Sequence, residues 1–262
     1  MSALSKTILQ VIGTAVLLLA TPAFAAVTVG AGSSVNFADA VIDLGCSDLT
    51  IAGQGTGTSA TLTGIIDLLL ISGMFAPGAS SVSLGGNFSD AGTFTAGSSH
   101  INVVDACGSG VSQVSGATNF HDLSVESANG KQLVLPANAI QGVEHALILQ
   151  GAAGSLLQIV SSASGQHAQF AVANGATQLV AYVDARDNAA TQATIAPGPA
   201  STYHSVDAGN LVNWFGNATG NPGPGIAPVP TPALSPLWLA LLGLLLSGSS
   251  LLLFVERPAV PR

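Results

Sequence analysis

The chain has 262 residues, of which 7% are charged, and a formal net charge of −8; soluble domains usually carry about a quarter charged residues. Between residues 26 and 233 only Lys131 and Arg186 are basic, against twelve acids. Without clustered Lys and Arg to displace phosphate counterions, nucleic-acid binding is excluded.

The opening segment, "MSALSKTILQVIGTAVLLLATPAFA", carries Lys6, an apolar run from Ile8 to Ala20, and Ala23-Phe24-Ala25. A basic start, a short apolar core and an A-x-A site form a signal peptide. The expected mature chain begins at Ala26, after passage through the Sec translocon and cleavage by signal peptidase.

Residues 26–216 supply short aliphatic and β-branched groups bounded by Gly, Ser, Asn or Asp, such as "DLTIAG", "VSLGG", "HINVV", "KQLVLP" and "LVAYVDA". These read as short strands in an all-β domain. The segment starting at Asp48 is echoed by one starting at Leu68, and Val82, Ile101 and Leu123 follow at comparable intervals. A period near 20 predicts a right-handed parallel β-helix-like solenoid of roughly nine turns; a β-sandwich is the alternative. Ala196 to Pro199, with Trp214 and Phe215, are the expected C-terminal cap of the stack. Residues Phe88, Phe94, Phe120, Phe170, Tyr182 and Tyr203 are expected mostly in the core.

Candidates for chemistry are sparse. Asp43, Asp48, Asp67, Asp90, Asp105 and Asp122 sit mainly beside Gly or Ser, where an Asp side chain commonly bonds local backbone. Lyase chemistry would need a strong base, and Lys131 and Arg186 are the two available. In "YVDARDN", Asp184 and Arg186 share a strand face while Asp187 points away, which predicts a local ion pair. His100, His121, His145 and His167 recur at similar intervals, near one per expected turn. Their neighbours differ, so they are expected as exposed or turn histidines, with no metal site, cofactor or catalytic residue. HExxH, G-x-S-x-G, P-loop and EF-hand patterns are absent from the sequence.

Cys46 and Cys107 are the only cysteines. Export favours a disulfide. Their separation, however, amounts to about three turns, or roughly 14 Å along the axis, whereas a disulfide needs Cα atoms within about 7 Å. Either the thiols are free, or residues 41–107 do not wind regularly.

The Gly/Pro-rich stretch 217–233 reads as an extended linker. Leu237 to Val255 is an uncharged run, about 29 Å as a helix and long enough to span a hydrocarbon core. Trp238 stands at its start and Arg257 and Arg262 beyond its end, which places the body outside and the tail inside. Residues 232–262 thus form one unit, with a transmembrane helix over 237–255.

The run around Pro232, Leu234, Ser235 and Trp238, followed by the apolar helix and Arg257, resembles IPTL-CTERM signals of Gram-negative bacteria, relatives of PEP-CTERM signals. The resemblance implies processing by an exosortase-like membrane enzyme. "GGNFSDAGTFTAGSSHINVVDACGSGVSQVSGATNFHDLSV" and "LVAYVDARDNAATQATIAPGPASTYHSVDAGNLVNWFG" resemble repeats and the closing turn of exported bacterial β-helix surface proteins. That family implies a passive role in adhesion, matrix or envelope structure. It also carries a Cys in a "DLGCSDLTI"-like strand and another in a "DACG"-like turn, which implies a Cys46–Cys107 bond and hence an irregular region 41–107. The expected function is therefore a non-enzymatic surface protein, held by membrane lipid or sorted at its C-terminus, open to a surface glycan or to self-association. A polysaccharide-binding or polysaccharide-processing β-helix is the alternative.

Overall fold

The computed structural model describes residues 26–216, together with a two-residue strand at Leu9–Gln10 that lies parallel to Ser34–Asn36. The rest of the expected leader, with Ala23 and Ala25, lies outside the described residues. So do the linker 217–233, the motif residues Pro232, Leu234, Ser235 and Trp238, the expected helix 237–255, and Arg257. Among the described residues no helix is long and apolar enough to cross a membrane. Ala26 stands exposed just ahead of the strand Val27–Val29.

The body is a parallel β-solenoid of about eight turns. Every pairing between its named strands is parallel, and the one antiparallel contact is an isolated bridge between Ala152 and Ser155. A β-sandwich is built from antiparallel sheets, so that alternative is overturned. One ladder runs Val41, Thr61, Ser81, His100, Asp122, Ala146, Thr177. Its first three steps are nearly equal, the next two are longer, and the step from Ala146 to Thr177 is the longest. The short period of the first turns does not persist, and the lengthening explains eight turns where nine were expected.

Alternation along each strand sends every second side chain inward, and stacking in register turns those positions into columns. Leu49, Leu68 and Phe88 form one such column, and Val82, Ile101, Leu123 and Leu147 another. The spacing of Val82, Ile101 and Leu123 in the sequence is thus the true ladder register. Phe37, Phe75, Phe94, Phe88 and Phe120 run through the interior in edge and tilted contacts, with centroids 5.2–6.3 Å apart. At the C-terminal end Trp214 and Phe215 are buried. Trp214 pairs with Ile195 and rests on Phe170, while Phe215 meets Tyr203 from the 3₁₀ turn Ala200–Tyr203.

Cys46 and Cys107 are joined, with Cα atoms 5.0 Å apart, and both segments depart from the ladder. Partners jump from Asp43–Thr63 to Ser47–Ile65, which leaves two extra residues beside Gly45 and Cys46, both in the left-handed region. Farther on, Leu84 pairs with Val103 but Phe88 pairs with Val114, so extra chain loops out at 104–110. That loop lies back over the preceding turn. A Cβ on Gly85 would collide with the Ala106 carbonyl, and one on Gly108 with the Gly85 carbonyl. The disulfide therefore straps across the two turns that contain Thr61 and Ser81.

Candidate functional site

The described aspartates hold corners together. Asp48 Oδ1 accepts from the Asp67 amide (3.2 Å), Asp67 Oδ1 from the Asn87 amide (2.6 Å), and Asn87 Oδ1 from the Gln113 amide (2.8 Å). Each side chain thus satisfies a backbone donor one turn onward, where the chain bends and ladder bonds lapse. Asp43 accepts from the Gly45 amide, and Asp90 from Thr118 Oγ1. Asp105 accepts from the amides of Ala128 and Asn129 and from Asn129 Nδ2.

Lys131 is buried, with 1% of its surface exposed. Its Nζ donates to the Gly85 carbonyl (2.7 Å), the Ser109 carbonyl (2.8 Å) and Ser112 Oγ (3.2 Å). All three ammonium donors are used, and two of their acceptors are carbonyls that flank the contact between Gly85 and the 104–110 loop. Burial pushes the Lys131 pKa below its ordinary 10.5, with the negative charge of Asp105 acting in the opposite direction. A base for lyase chemistry needs access to substrate, and this lysine has none. Strand alternation alone would pair Arg186 with Asp184. The structure instead places Arg186 Nε 3.7 Å from Asp187 Oδ2, because Asp187 turns in the left-handed region at φ 55° and swings back. Asp187 also accepts from Asn210 Nδ2 (2.6 Å). Burial raises the Asp184 pKa above 3.8, opposed by Arg186.

The four histidines singled out by their spacing divide. His167 lies apart, its Nε2 2.8 Å from Asn210 Oδ1. The other three surround one carboxylate, that of Asp122, whose side chain is 8% exposed. His100 Nδ1 lies 2.7 Å from Oδ2, His145 Nδ1 2.7 Å from Oδ1, and His121 Nδ1 3.3 Å from Oδ1.

No family model matches the chain, and no curated protein or solved structure matches it either. The cluster therefore rests on its own geometry.

His100 is the ladder partner of Asp122, so their side chains stand on one face, one strand spacing apart. His145 arrives through an irregularity. Between Phe120 and Asp122 lies one residue, whereas between their partners Val143 and Ala146 lie two. The extra residue brings His145 over His121, and the two rings stack with centroids 4.8 Å apart and planes 21° apart. An ionised carboxylate only accepts hydrogen bonds, so His145 donates to Oδ1 through Nδ1–H, and His100 Nδ1 stands in close contact with Oδ2. His121 Nδ1 is buried and misaligned for that bond, and it has no hydrogen-bond partner. One ring nitrogen each of His121 and His145 and an oxygen of Asp122 lie within 4.8 Å of one another. His100 and His145 are exposed, as expected from the sequence; what the sequence did not show is that they and half-buried His121 meet at Asp122.

Among the described residues no aromatic side chain is fully exposed: Phe75, Phe88, Phe120, Phe170 and Trp214 are buried, and Phe94, Tyr182 and Tyr203 are half-buried.

Proposed function

We propose that the chain is a non-enzymatic, exported cell-surface or envelope protein with an adhesive or matrix role. Its body is a right-handed solenoid, the hand general for parallel crossovers. A leader cut after Ala25 delivers it through the Sec translocon and signal peptidase. Residues 232–262 anchor it in membrane lipid or hand it to an exosortase-like enzyme.

The observation that carries this reading is the structural engagement of the groups that catalysis would need. Asp48, Asp67 and Asp105 bond backbone amides, and Lys131 is locked inside the stack. Together with the inward-facing aromatics, this weighs against polysaccharide processing and for a scaffold whose outer faces make the contacts.

Cell fractionation with mass spectrometry of the mature C-terminus tests the sorting step. Recovery of the chain in the envelope, truncated near Pro232, is expected; an intact tail in the membrane fraction would leave a simple anchor. Release of new reducing ends or unsaturated products when the purified chain meets polysaccharides would overturn the non-enzymatic assignment.

A further inference from the structure

We infer that His121, Asp122 and His145 form a binding site for a divalent transition-metal ion of the zinc type, with His100 as the positioning residue that orients the carboxylate. The inference is independent of the surface role and departs from the sequence expectation of no metal.

The donors fit such an ion. Zinc takes His nitrogen at about 2.0–2.1 Å and Asp oxygen at about 2.0–2.2 Å, so neighbouring donors around a tetrahedral ion stand about 3.3 Å apart. Asp122 Oδ1 already lies 2.7 Å from His145 Nδ1 and 3.3 Å from His121 Nδ1, and the whole donor set lies within 4.8 Å. Asp122 is held in place by its strand and by His100 on the other oxygen. This is the arrangement in which an outer partner fixes a ligating carboxylate.

Three features point to a ligand over a purely internal network. His121 Nδ1 is a buried nitrogen with no hydrogen-bond partner, which a coordinate bond would satisfy. The stacked rings of His121 and His145 turn both Nδ1 atoms toward the same carboxylate. The side chains of His145 and His100 are 64% and 56% exposed, so an ion enters directly from solvent and a fourth position stays open to water. On binding, neutral His145 carries its hydrogen on Nε2 in place of Nδ1, freeing the Nδ1 lone pair without adding charge. Imidazole with one carboxylate suits zinc, nickel and copper, whereas calcium requires six to eight oxygens.

The test is titration calorimetry of the full chain, purified in detergent without a histidine tag and stripped of metal, against Zn²⁺ and separately Ca²⁺. One saturable zinc equivalent per chain and no saturable calcium binding are expected. The His121→Ala/His145→Ala pair should weaken zinc binding by more than about 100-fold, and His100→Ala by roughly 10–100-fold, the range for an outer partner. His167→Ala should bind as the wild type does. Circular dichroism of each variant establishes that the solenoid is retained. Zinc affinity should fall on acidification, since the ligands must be neutral imidazoles. Absence of saturable zinc binding, or wild-type affinity in the folded double variant, overturns the site.

Discussion

Lys131 and Asp122 are both buried charges, and their surroundings are opposite. Lys131 lies inside the stack among carbonyls and a hydroxyl, with three acceptors for three donors. Asp122 lies on a face under three imidazoles, with more donors gathered than it binds well. A matched set is static, because any displacement strands a buried polar group. An oversupplied set can rearrange around something new. Burial of a charge is therefore not in itself a functional signal; what counts is whether its partners are saturated.

The sharpest way to break the contrast is Lys131→Ala. It removes the ammonium donor from the Ser109 carbonyl and Ser112 Oγ, leaves the Gly85 carbonyl with Ser112 Oγ alone, and opens a cavity. A loss of about 3–5 kcal/mol is expected in urea denaturation. Next in size is Cys46→Ser with Cys107→Ser, which removes a cross-link closing a loop of 61 residues. The chain-entropy estimate for a loop of that size is about 4 kcal/mol, read in the same melts. Asp122→Asn should cost less, about 1–2 kcal/mol in metal-free buffer, because exposed imidazoles regain water as the charge-assisted bonds are lost.

The pH dependences are smaller and opposite in sign. The Lys131 pKa is lowered in the folded chain, so between that value and 10.5 the unfolded chain holds more protons. Stability should therefore rise with pH across that window, and Lys131→Met should abolish the slope. The Asp184 pKa is raised above 3.8; between 3.8 and the folded value the folded chain holds more protons, and stability should fall as pH rises. Asp184→Asn is thus expected to raise stability slightly at neutral pH, by less than about 1 kcal/mol, and to flatten the acid limb.

Much of the architecture is legible in the sequence where a turn repeats its length. Val82, Ile101 and Leu123 reveal their column because inward positions of successive turns must be apolar and the intervening corners are of similar length. Trp214 and Phe215 announce the end of the stack because large aromatics have no place among tight small-residue corners. Legibility fails where residues leave the ladder. The spacing of Cys46 and Cys107 looked too long for a bond because ladder arithmetic assumes regular winding. The extra residues at 44–46 and 104–110 cancel that assumption.

The histidines fail for a subtler reason. Their spacing is near-even but their neighbours differ, and the ladder partner of His100 is Asp122, one position past His121. The trio meets at the acid, and the stray residue before Ala146 is visible only once the register is known. Lys131 offered no local signal, since its partners lie 19, 22 and 46 residues away.

The strap between Cys46 and Cys107 has a mechanical consequence. A pull on the chain at residue 216 would peel turns one after another, each yielding a short row of ladder bonds and lengthening the molecule. Peeling stops at Cys107, because the contour from there back to Cys46 is closed by a covalent link and cannot extend. Under tension the molecule would therefore keep a fixed N-terminal block while its later turns act as extensible slack. Reduction would convert the whole body to slack, which force spectroscopy would record as about 60 residues of added contour, each contributing about 3.3–3.6 Å.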